Sequence, residues 1–95
     1  MTTDSSSKTA PIFSRVRFVM VHPSHPGNVG AAARAIKTMG FHDLHLVAPR
    51  YPDMCQLPEA QALASGATDV LADAGITGTL EEALAPGTLA FALTA

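Results

Sequence analysis

The chain is poor in the residues that most often announce a chemistry. It holds one cysteine, Cys55, one tyrosine, four phenylalanines and no tryptophan in 95 residues. A single thiol excludes an internal disulfide and any zinc site built from paired cysteines. Nothing around Cys55 resembles the His or acid partners that a cysteine nucleophile needs. No apolar run approaches the roughly 18 residues of a membrane span, so a cytosolic protein is expected. Bases are missing from a whole half. All six Lys and Arg fall in the first fifty residues, together with two acids, whereas residues 51–95 carry six acids and neither Lys nor Arg. The net charge of −2 excludes a strongly basic nucleic-acid binder. The basic first half can still present a modest phosphate-facing surface, or the acids can simply solvate outer helices.

What is present is alanine and a βαβ rhythm. Residues 1–13 are polar and rich in Ser and Thr, and read as a disordered leader; 14–95 read as one small α/β domain. Arg17 to Val21 is nearly continuous in apolar character and reads as a central strand buried on both faces. Pro23 and Pro26 then delay any helix, and Asn28 is the expected N-cap. Val29, Ala32, Ala33, Ile36 and Met39 form one apolar stripe at helical spacing, with Arg34 and Lys37 off it. Gly40 suits the left-handed residue that ends a helix. Leu44 to Val47 is the next strand, flanked by His42 and His45, which are expected at the surface. Pro58 to Ser65 reads as a second helix, with proline in its first turn. Asp69 to Leu71 reads as a short strand or turn. Thr79 to Glu82 is a capping box opening a short helix, and Thr88 to Leu93 is a last buried strand. The chain reaches Ala95 just past that strand, which suggests the first part of something larger. The architecture expected is a parallel sheet with flanking helices.

The chemistry concentrates between the first strand and the first helix. Gly27-Asn28-Val29-Gly30 at a helix start offers free N–H groups to an anion. It lacks both the three-glycine dinucleotide fingerprint and the lysine of a P-loop, so a small anion- or nucleotide-binding domain is the weak reading. His22 and His25 do not make a metal pair: Pro23 breaks the helical spacing that would converge them, and no third ligand is near.

A longer pattern carries more. Asn28-Val29-Gly30, Arg34 six residues after the asparagine, and the Lys37-Thr38-Met39-Gly40 exit resemble the first motif of the SpoU-type RNA 2′-O-ribose methyltransferases. The Ser24-His25-Pro26-Gly27 lead-in, Ala64-Ser65-Gly66-Ala67-Thr68-Asp69-Val70-Leu71 and Thr79-Leu80-Glu81-Glu82-Ala83-Leu84 extend the resemblance over residues 15–95. They point to the branch that methylates cytidine or uridine ribose in the tRNA anticodon loop. The resemblance implies an α/β trefoil-knot fold, S-adenosylmethionine as cofactor, tRNA as substrate and a homodimer. It implies Arg34 and Asn28 as catalytic residues, Arg34 at the ribose 2′-hydroxyl and Asn28 holding the site in shape. Ser24, His25, Gly27 and Lys37 are candidate substrate contacts. Leu93, Thr94 and Ala95 match the start of a cofactor-contacting loop, loosely, because the family prefers Gly-Thr-Ser-Ala there. His22 stands where close relatives often carry Glu. The two later motifs, which build the knot, lie beyond Ala95. The 95 residues alone are therefore expected to be inactive. The rival reading is a non-catalytic RNA-binding or oligomerisation module that reuses this half of the fold.

Overall fold

The computed structural model describes residues 15–93. The expected leader, Thr94 and Ala95 lie outside the described residues. Four parallel strands form one sheet in the order β3-β2-β1-β4, with β1 Arg15–Val21, β2 Leu44–Val47, β3 Gly75–Thr77 and β4 Thr88–Leu93. Helix α1, Pro26–Thr38, joins β1 to β2. Helices α2, Pro58–Ala64, and α3, Thr68–Ala72, lie between β2 and β3. Helix α4, Leu80–Ala83, precedes β4.

Strand alternation sorts the sheet into two unequal faces. Phe18, Met20, Leu44 and Leu46 pack against Val29, Ala33 and Ile36 of α1 and against Ala60, Ala64, Val70 and Leu71 of α2 and α3. On the other face Val19 and Val47 meet only Ala83 of α4 in a buried cluster. Small side chains let the elements of the first face approach closely. A Cβ on Gly30 would run into the Ala60 backbone carbonyl, so glycine here is a helix-contact residue.

The helix ends show where local signals compete. Helix α1 starts earlier than expected: His25 is the N-cap, Pro26 is in the first turn, and Asn28 is the third helical residue. Proline at the first helical position costs nothing, because its missing N–H has no intrahelical partner, and its fixed φ suits the helix. No side chain caps this end. The C-terminus is as expected, with Gly40 at φ 92°, its N–H on Lys37 O at 2.9 Å and Phe41 N–H on Ile36 O at 3.0 Å. That pair of bonds is the Schellman motif. Met39, placed on the apolar stripe by spacing, is 56% exposed, because the helix ends there beyond the edge of the sheet's cover.

Two further expectations are corrected. Asp69 to Leu71 is helical, within α3, and the third strand is Gly75–Thr77. Three apolar residues carry no period of their own, and Val70 and Leu71 turn into the core from a single helical turn. The last strand, β4, is an edge rather than a buried strand: none of its residues is fully buried, and Phe91 is 47% exposed while stacking on Phe18 at 5.6 Å. The capping box is present, with Thr79 Oγ accepting from Glu82 N–H and Glu82 Oε1 accepting from Thr79 N–H.

Candidate functional site

The β1–α1 connection sits at the carboxyl end of the sheet, where parallel α/β folds bind their ligands. Two non-glycine residues there adopt left-handed backbone: His22 at φ 55° and its neighbour across the sheet, Ala48, at φ 48°. His22 N–H donates to Val47 O at 2.7 Å, and its Nδ1 lies 3.4 Å from Ala48 O. Such residues cost energy and cluster at functional sites. Ser24 Oγ and His25 Nδ1 are 2.8 Å apart, with His25 exposed.

The structure separates the expected site residues into three places. Asn28 and Leu93 line one groove of about 330 Å³ between α1 and the β4 edge, together with Phe18, Met20, Ala31 and Ala32. Arg34 lies outside it, beyond a ridge of exposed alanines, Ala31 and Ala35. It stands between two shallow grooves, one reaching Leu63 and the other reaching Lys37, Gly66 and Ala67. Gly27 is buried against α2, where a Cβ would meet Leu63 Cδ1 at 2.8 Å and Glu59 Oε2 at 2.9 Å. The sequence therefore offered Gly27 as a substrate contact, and the fold uses it for helix packing.

The basic residues divide just as sharply. Five are described: Arg15, Arg17, Arg34, Lys37 and Arg50. Arg15 and Arg17 both pair with Asp43, at 2.8 and 3.2 Å, and Arg17 Nη1 also donates to Ala83 O at 2.6 Å. Lys37 Nζ donates to Gly66 O at 3.0 Å and to Asp69, whose carboxyl it holds below the usual carboxylate range. Arg50 lies over the Tyr51 ring, 5.4 Å from its centroid. Arg34 alone, among the described residues, has no ion pair, hydrogen bond or ring contact on its guanidinium. The first half is thus no continuous basic surface. Arg15 and Arg17 sit at the amino end of β1, away from the loop.

Two other groups are displaced from expectation. His45 is 8% exposed, not a surface residue, because it lies on the sheet face that carries α4, with Gly75 of the adjacent strand β3 beside it. Thr77 Oγ1 donates to Thr79 O at 3.1 Å, so it accepts from His45 Nε2–H at 3.2 Å, which assigns the tautomer. Burial and then the Arg17 charge lower the His45 pKa, against an opposing pull from Asp43. Gly75 completes the fit, since a Cβ there would stand 2.5 Å from His45 Nδ1. Burial raises the Cys55 thiol, which disfavours the reactive thiolate. His42 is exposed, as expected.

Known proteins match this segment over nearly its whole described length. The SpoU rRNA methylase family matches residues 15–95. The chain belongs to that family. Among curated relatives, the tRNA (cytidine/uridine/adenosine-2′-O-)-methyltransferase TrmJ of Pseudomonas aeruginosa is 51% identical over 74 residues, 77% of this chain and 27% of the relative. The tRNA (cytidine/uridine-2′-O-)-methyltransferase TrmJ of Cronobacter sakazakii is 49% identical over 75 residues, 78% of this chain and 29% of the relative. The SpoU chain described here therefore spans less than a third of these curated relatives. A probable methyltransferase from Bordetella pertussis superposes with a TM-score of 0.75 at 73% identity, covering 79% of this chain and 44% of that one. TrmJ from Z. mobilis gives 0.65 at 42% identity, with 73% and 30% covered. The parallel sheet and flanking helices are accordingly those of a SpoU methyltransferase, and the family is one of methyltransferase enzymes that act on RNA.

The methyl donor that the family implies does not find a complete site among the described residues. The groove holding Asn28 and Leu93 is apolar apart from Asn28 itself. An adenosyl sulfonium brings ribose hydroxyls, a carboxylate and an ammonium, each of which needs a polar partner when buried. Those partners are missing from the groove's lining among the described residues.

Proposed function

We propose that the protein to which this segment belongs methylates the ribose 2′-oxygen of a cytidine or uridine in the tRNA anticodon loop, with S-adenosylmethionine as donor. It works as a homodimer in the cytosol. Arg34 is the catalytic residue. Its guanidinium keeps its proton at any physiological pH, so it stabilises negative charge developing on the 2′-oxygen and does not act as the base. Asn28 holds the site in shape, and Leu93, Thr94 and Ala95 contact the donor. Ser24, His25 and Lys37 border the RNA. For Lys37 this is a secondary role, given its ties to Asp69 and Gly66.

One observation supports this reading above the others: Arg34 is the single described cation left without a partner, and it stands exposed where RNA can reach it. In a longer protein that carries this segment, Arg34→Ala should lower single-turnover methyl transfer to tRNA by about 100-fold or more, the size of losing one oxyanion-stabilising donor. Normal turnover in that variant removes the role.

The apolar character of the Asn28 groove favours a second reading of the 95 residues by themselves. They bind RNA without holding the donor. Calorimetry tests the second reading: no tight S-adenosylmethionine binding is expected from this chain alone, and tight binding would reject it.

A further inference from the structure

We propose that Arg50 and Tyr51, on the loop after β2, form a stacking platform for an unpaired base of an RNA strand. The inference rests on the RNA-substrate reading above and adds a contact that neither the motif nor the relatives' names assign.

Tyr51 is the only tyrosine in a chain without tryptophan, and it is not part of the core. It remains 39% exposed although the Arg50 guanidinium already lies 5.4 Å from its ring centroid. No carboxylate pairs with Arg50 among the described residues, so its charge is not neutralised within the fold. A guanidinium laid over one face of a ring leaves the other face to stack on a base while the charge attracts the adjoining phosphate.

The pair is held in place at the functional end of the sheet. Arg50 N–H donates to Pro23 O at 2.9 Å, which ties this loop to the His22–His25 connection. Tyr51 O accepts from the N–H of buried Met54 at 3.2 Å, which anchors the other side. The left-handed residues His22 and Ala48 turn the two connections sharply at the same level of the sheet. The result is one rim bearing the Tyr51 ring, the Arg50 charge and the exposed imidazoles of His22 and His25. A duplex keeps its base faces stacked on one another, whereas an unpaired loop offers them. The platform therefore selects single-stranded RNA.

The test titrates the full 95-residue chain into a single-stranded oligoribonucleotide carrying 2-aminopurine, whose emission falls when the base stacks, and into the corresponding duplex. The wild-type chain should quench the single strand and leave the already dim emission of the duplex unchanged. Tyr51→Ala should abolish the quench and weaken single-strand binding roughly five- to tenfold, within the range measured for one base–aromatic stack. Tyr51→Phe keeps the ring and should keep the quench. Arg50→Ala should weaken binding and reduce the slope of log K against log salt by about 1. Circular dichroism of each variant should match the wild type, since neither side chain is in the core. Unchanged quench and affinity in Tyr51→Ala overturns the platform while leaving the RNA reading intact. A chain that binds neither RNA overturns the platform together with the reading that these 95 residues bind RNA by themselves.

Discussion

The two ends of the sheet use the same residue type in opposite ways. At the amino end Arg15 and Arg17 converge on one carboxylate, Asp43, and Arg17 reaches across to the Ala83 carbonyl. The guanidinium there joins β1 to the start of β2 and to the end of α4. At the carboxyl end the connections after β1 and β2 carry one left-handed residue each, His22 and Ala48, with exposed histidines beside them, and along α1 Arg34 touches no carboxylate. One end is closed by its own charges, and the other leaves charge and backbone strain facing solvent. The lesson concerns function more than stability. An arginine that a fold has already satisfied has little left to offer a ligand, whereas an unsatisfied one keeps its full recognition capacity.

That contrast can be broken by exchanging each arginine for leucine. Arg17→Leu removes a half-buried ion pair and leaves the Ala83 carbonyl without its donor. The expected loss is about 2 kcal/mol, a fall of roughly 10 °C in the melting midpoint of a domain this size. Arg34→Leu should shift the midpoint by no more than about 3 °C, as exposed substitutions usually do. Equal losses at the two positions, measured by thermal unfolding, would erase the distinction between a structural and a free arginine.

The same end of the sheet contains a titratable group, and acid should find it. His45 lies beside Arg17 with its Nε2 on Thr77, and its pKa is lowered below the ordinary 6.5. The unfolded chain therefore takes up this proton first as pH falls. Stability from the neutral ring is complete above the ordinary value, declines as pH drops below it, and levels off once the folded pKa is passed. Carboxylates titrate lower, so the window between about pH 7.5 and 5 isolates the imidazole. Urea midpoints across that window should decline in the wild type and stay flatter in His45→Gln, which keeps a donor for Thr77. Parallel declines would show that His45 is not the group responsible.

Much of this was legible in residue order, for reasons that differ by element. β1, β2, the body of α1 and the Thr79–Glu82 box were readable because each is specified by its own few residues. The start of α1 was not, because Asn28 and Pro26 both signal a helix beginning and proline at the first position takes precedence. β3 was missed because Gly75-Ile76-Thr77 has no pattern of its own; its place depends on His45 lying opposite a glycine. At the site, Asn28 and Arg34 stand out through their resemblance to a known motif. The neutralisation of Arg15 and Arg17 could not be read, because it requires the register that sets Phe18 against Leu44 and so brings Asp43 alongside. The Arg50–Tyr51 pair was in plain view as neighbours, yet only the bond to Pro23 shows which end of the sheet it serves.

Lys37 supplies the smallest and most delicate test, because it sits three residues from Arg34 and looks equally free in the sequence. Its ammonium bridges Asp69 at 3.2 Å and Gly66 O at 3.0 Å, tying the end of α1 to the turn before α3. Both side chains are about half exposed or more, so solvent screens the pair. Lys37→Met should therefore leave the thermal unfolding midpoint almost unchanged. The Asp69 carboxyl should rise toward its ordinary value in the same variant, because its first cause of depression is the hydrogen bond from Lys37. Side-chain carboxyl chemical shifts followed through an acid titration would report that change directly. An unchanged Asp69 titration would mean that the ammonium is not held there in solution. Lys37 would then join Arg34 as a free cation, and the line between occupied and unoccupied charges would have to be redrawn along α1 itself.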